Sequence, residues 1–163
     1  MRIAYRPIVL GLLAAGFSIL LLQRALAGGG HYFPPVGDPL VNEECGSCHL
    51  AYPPSMLPAA SWRRLIGDLR NHFGDDASVD APTAARITDY LTANAADSGG
   101  RRYGEKMLRG LAPGEAPLRI TELPRWIREH RKVPDRDWRH KDVRTRANCP
   151  ACHVDAQRGY FDE

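Results

Sequence analysis

No stretch of this 163-residue chain alternates apolar and polar residues for long enough to make a half-buried strand. A sheet-built fold is therefore not expected, and the βαβ frame of a thioredoxin-like dithiol protein is missing. Nor is there a low-complexity tract. The longest apolar run, Ile8 to Leu22, has 15 residues, short of the ~20 that a membrane-spanning helix needs. Charge of one sign is also lacking, once the first residues are set aside. The chain carries 22 Lys+Arg against 19 Asp+Glu. Without Arg2, Arg6 and Arg24 the balance is 19 against 19, so the basic isoelectric point does not argue for nucleic-acid binding.

Those three cations belong to an opening stretch with its own logic. Arg2 and Arg6 precede the apolar run, which closes on Ala25-Leu26-Ala27, a small-x-small site. That is the layout of an export signal, cut after Ala27, and it places the mature protein in the periplasm rather than on a membrane anchor. The remaining charge is unevenly spread. Residues 28–100 hold 4 basic and 9 acidic residues, residues 101–146 hold 14 and 7, and the last 17 net −2. Such asymmetry can orient a charged partner during encounter.

Helical periodicity organises the rest. Gly28 to Gly37 is a Gly/Pro-rich lead, loose at its start. A short helix then enters the first cysteine pair, and Pro53-Pro54 force an ordered loop after it. Trp62, Leu65, Ile66, Leu69, His72 and Phe73 recur at helical spacing up to Gly74. Asp80 caps a further helix with Pro82 in its first turn and a stripe of Ala84, Ile87, Tyr90, Leu91 and Ala95. Ser98-Gly99-Gly100 marks a boundary between domains 28–98 and 99–163. Beyond it, Thr121 to Arg131 is expected as a helix capped by Thr121, with Leu123, Trp126, Ile127 and His130 on one face. A polar stretch, 133–146, follows. The class is mainly α with much loop.

The one internal repeat carries the chemistry. All four cysteines fall in two pairs, Cys45/Cys48 and Cys149/Cys152, and a histidine follows each at once: His49 in "CGSCH", His153 in "CPACH". With 6 histidines in 163 positions, two such coincidences would arise by chance roughly once in 700. Two thiols one helical turn apart reach the two vinyl groups of a haem, and the adjacent imidazole comes under its iron. A four-cysteine zinc site would have to join pairs about 100 residues apart and would need neither histidine. Disulfides within each pair would close loops too small to stabilise much. Two covalently attached c-type haems, one in each half, also supply the apolar mass that such small domains lack.

The sixth ligand of each iron decides between carrier and catalyst. For the first haem the candidates are His72, Met107 and Met56, with His72 favoured by its apolar neighbours. For the second, His130 is favoured over His140, which sits in the polar run, while His31 lies in the lead. Tyr52, three residues past His49, either lines the gap between the haems or only packs on the first. If one iron lacked a distal ligand, the alternative would be a small dihaem enzyme or gas-binding cytochrome.

In "CGSCHLAYPPSMLPAASW", "HFGDDASVD", "YLTANAAD", "RITELPRWIREHRKVP" and "CPACH", in this order, the chain resembles the small dihaem cytochrome c family from Pro34 to Phe161. The resemblance implies a class I cytochrome c-like N-terminal domain and a small C-terminal haem domain of its own type. It implies bis-histidine coordination, with His72 and His130 as distal ligands. It also implies a single-electron carrier without enzyme activity, donating to an oxygen-binding monohaem cytochrome and fed by a membrane cytochrome b.

Overall fold

A computed structural model describes residues 32–99 and 102–162. The export signal and His31 lie outside the described residues. Among those described, the regular elements are short helices and 3-10 turns, and the only β pairing is two isolated bridges. Among the described residues, no helix is long and apolar enough to cross a membrane.

Helix α1 (Pro39–Gly46) begins where the sequence demands. Asp38 Oδ1 accepts from the amides of Leu40 and Val41 at 2.9 and 3.3 Å, and Pro39 occupies the first turn, where its missing N–H costs nothing. Cys45 lies in the last turn. The loop after His49 is buried for most of its length, with a 3-10 turn at Pro54–Met56, and Trp62 Nε1 donates to the Pro54 carbonyl at 2.8 Å.

The helical stripe expected from Trp62 to Phe73 is broken in two. Helix α2 is Ala59–Ile66 and stops at Gly67, whose amide bonds back to the carbonyls of Arg63 and Leu65. A 3-10 turn, Leu69–Asn71, follows. His72 then stands outside any helix, in a tight turn closed by its amide on Asp75 O at 2.8 Å and by Asp75 N on its own carbonyl at 3.2 Å. Phe73 (φ 58°) and Gly74 (φ 106°) both adopt positive φ there, which no continuing helix allows.

Helix α3 (Ala81–Ala93) is capped by Asp80, which accepts from Thr83 N at 2.7 Å, and it packs on α2 and α1. Helix α4 (Arg102–Met107), not foreseen from the sequence, contacts both the Pro54–Met56 turn and helix α5 (Pro124–His130). The last of these begins later than Thr121. A 3-10 turn at Ile120–Glu122 precedes it, and Pro124 can enter a helix only in its first turn. Ile127, expected on the buried face, is 53% exposed, whereas Leu123 and Trp126 are buried. A short α6 (Asp135–Trp138) crosses the stretch read as polar and irregular. The second cysteine motif opens in a 3-10 turn at Cys149–Ala151, and a further one, Ala156–Arg158, follows it.

The described residues cluster as one unit. One buried apolar cluster serves residues on both sides of Ser98-Gly99: Val41, Leu57, Trp62, Ile87 and Leu91 join Met107, Leu123 and Trp126. The lead is fixed from Tyr32 onward. Phe33 N donates to Gly159 O at 2.8 Å, and the Phe33 ring meets Phe161 edge-on at 5.7 Å.

Candidate haem-binding sites

The thiols are free, Cys45 and Cys149 partly buried and Cys48 and Cys152 exposed. Burial pushes the Cys45 thiol above its ordinary pKa, and that of Cys149 up to about 11. A redox-active or metal-binding thiol needs the opposite shift, toward thiolate. Among the described residues, no three His, Cys, Asp or Glu side chains converge as a metal site, so the two pairs do not combine into a four-cysteine cluster.

Four of the histidines are brought together in pairs. The His49 and His72 rings have centroids 6.2 Å apart, and those of His130 and His153 lie 6.1 Å apart. Two imidazoles bound through Nε2 to opposite faces of one metal ion, at ~2.0–2.1 Å each, have centroids roughly 6.3 Å apart. Both pairs are thus spaced to hold an iron between them. This is the fit that the haem reading requires.

Second contacts orient the rings. His49 Nδ1 lies 2.7 Å from the Leu50 carbonyl, and His130 Nδ1 lies 2.8 Å from that of Trp126. Carbonyls only accept, so each Nδ1 carries the proton and Nε2 is left with its lone pair for a metal, the usual arrangement for ligating histidines. The Nδ1 of His72 is buried without a hydrogen-bond partner. Burial, followed by the neighbouring His49, lowers the pKa of His72 and favours the neutral imidazole that a metal needs. His140, by contrast, is exposed and lies 3.6 Å from the Asp142 carboxylate. Met56 and Met107 are buried in the apolar cluster.

Each pair has an aromatic neighbour. Tyr52 stacks on His49 at 4.9 Å, and its hydroxyl donates to the Ala147 carbonyl at 2.7 Å, two residues before Cys149. It therefore packs on the first site and reaches the second motif as well. Burial pushes its phenol up to about 12, so it keeps its proton as a donor. Trp126 stacks on His130 at 4.1 Å, a contact that the i,i+4 spacing in the sequence announces.

Beside His72 opens a cavity of ≈ 660 Å³, lined among others by Leu65, Asn71, Leu118, Arg64 and Arg119. Arg119 also lies 3.8 Å over the Phe73 ring. Nothing in the sequence marks this arginine, one of 14 cations between residues 101 and 146, as a neighbour of the first motif. The contact of Phe161 with His153, at 5.7 Å, was equally hidden.

The sequence pattern of the dihaem cytochrome c family matches residues 41–161. Among solved structures, a diheme cytochrome c from Rhodobacter sphaeroides is 48% identical, with a TM-score of 0.72 over 78% of this chain and 99% of that one. A second structure from that organism is 44% identical with a TM-score of 0.64, over the same shares. A diheme cytochrome type c from Shewanella baltica is 37% identical, with a TM-score of 0.62 over 76% of this chain and 86% of that one. No curated protein matches.

Proposed function

We propose a mechanism from one premise: the chain belongs to the dihaem cytochrome c family, so it carries two covalently bound haem c groups and serves electron transfer. Cys45 and Cys48 would hold the first haem, with His49 and His72 as ligands to its iron. Cys149 and Cys152 would hold the second, with His153 and His130. The centroid separations of 6.2 and 6.1 Å carry this assignment, because they lie close to the spacing of two imidazoles across one ion.

Each haem supplies one-electron chemistry, and the protein's part is to hold it with no change of ligands. Cys45, Cys48, Cys149 and Cys152 would attach the haems, and His49, His72, His130 and His153 would supply the nitrogen ligands to their irons. The Leu50 and Trp126 carbonyls hold two of these imidazoles in the tautomer that presents Nε2. Arg64 and Arg119, which line the cavity beside His72, would pair with haem carboxylates. With no open coordination position the protein is a carrier rather than an enzyme. Two nitrogen ligands on each iron give potentials below those of Met/His cytochromes.

Residues 28–98 form the lobe of the first haem, of class I cytochrome c type, and 99–163 that of the second. The export signal directs the chain to the periplasm, cleaved after Ala27. The acceptor is an oxygen-binding monohaem cytochrome and the donor a membrane cytochrome b, a direction that rests on the family resemblance. Replacing either distal histidine tests the ligand set. His72→Ala and His130→Ala should each let one haem per molecule bind carbon monoxide when reduced. A His130→Ala protein with an unaltered spectrum would transfer the assignment to His140.

A further inference from the structure

The two histidine pairs share a spacing but not an orientation. The planes of His49 and His72 are inclined by 17°, close to parallel, whereas those of His130 and His153 stand at 81°, close to perpendicular. An imidazole's terminal torsion is soft and broad, so neither angle follows from the rotamer alone. Something must hold each ring.

The holders differ at the two sites. At the first, the Tyr52 ring lies within 20° of the His49 plane, and the Tyr52 hydroxyl is itself pinned to Ala147 O. That hydrogen bond fixes the long axis of the Tyr52 ring, and the stacking against His49 sets its inclination. At the second, the Trp126 indole covers His130 at an inclination of 13°, and the Trp126 carbonyl accepts a hydrogen bond from His130 Nδ1. Trp138 leans on both the Trp126 and His130 rings, at 5.7 and 6.1 Å. One aromatic ring and one carbonyl fix one imidazole of each pair.

We infer that Tyr52 and Trp126 are positioning residues that make the two irons inequivalent, with parallel axial imidazoles at the first and crossed ones at the second. The inference rests on the bis-histidine reading above. Its physical consequence is electronic. Parallel imidazole π systems act on the same iron d orbital and split it from its partner. Crossed ones act on both alike and leave the two nearly degenerate. Low-spin ferric iron reports that splitting directly in its electron paramagnetic resonance.

Low-temperature EPR of the oxidised full-length holoprotein tests this. The expected spectrum has two low-spin signals of equal weight, one rhombic with three resolved features and one highly anisotropic with a single low-field feature. His72→Ala should abolish the rhombic signal and so assign it. Tyr52→Leu should shift the rhombic signal alone, and Tyr52→Phe, which keeps the ring, should preserve its form. Trp126→Leu should shift the anisotropic signal alone. Should that variant fail to retain its haem, Trp126→Phe, with a smaller ring, should move the same signal to a lesser degree. Two signals of one form, or clamp variants indistinguishable from wild type, would overturn the inference while leaving bis-histidine ligation standing. A high-spin signal, or the red absorption band of a methionine-ligated iron, would overturn both.

Discussion

Arg119 shows how much a single residue contributes that spacing does not reveal. Its guanidinium sits over Phe73, next to the histidine proposed to close the first iron, and it adds a positive charge there. A cation stabilises the more electron-rich ferrous state, so Arg119→Ala should lower the potential of the first haem. The half-exposed side chain is screened by water, and a shift on the order of 10–40 mV is expected in a spectroelectrochemical titration. An unchanged potential would remove Arg119 from the site. The cysteine pairs and their adjacent histidines were legible because the information is local, five residues at a time. The stacking of Trp126 on His130 was legible too, since Trp126 lies one helical turn before it. The setting of His72 was not. It stands in a turn after α2 has ended, and the apparent stripe through it counts residues from two separate elements.

At the scale of elements, capping chemistry made α1 and α3 readable: Asp38 with Pro39, and Asp80 with Pro82, each followed by buried apolar residues. Helix α4 escaped because it is six residues long and has a glycine inside it, which reads as a breaker. That glycine has a packing role. A Cβ on Gly104 would overlap the Ala96 carbonyl and come within 2.8 Å of its Cα. The close approach lets α4 seat Met107 in the common core. Gly104→Ala should therefore destabilise the holoprotein by about 1–3 kcal/mol, despite alanine's better helix propensity. Denaturant unfolding followed by circular dichroism measures this, and a more stable variant would show that α4 tolerates displacement. Thr121 did not serve as a cap because Pro124 disfavours the α region for the residue before it, and Leu123 is extended (φ −66°, ψ 135°).

For the whole molecule, the sequence conveyed a mainly helical chain with two haem motifs but not how its halves meet. Leu123, Trp126 and Met107, beyond Ser98-Gly99, share a cluster with Val41 and Trp62, which precede it. Contacts between residues 50 to 100 positions apart leave no periodic trace, and the Tyr52–Ala147 hydrogen bond is one of them. Charge, in contrast, was readable in bulk. The excess of 14 basic over 7 acidic residues between positions 101 and 146 predicts that an acidic redox partner binds through this segment. Its affinity should fall at least several-fold as ionic strength rises toward 0.5 M, where the Debye length drops to about 4 Å. Salt-independent association would assign docking to another face.

The central claim is that both irons are closed by two histidines and that the protein only carries electrons. The visible spectrum of the fully reduced holoprotein under carbon monoxide addresses it directly. Two six-coordinate haems predict a spectrum that stays unchanged on mixing. Rapid formation of a carbon monoxide adduct at either iron would contradict the account and mark that iron as a site for a small molecule.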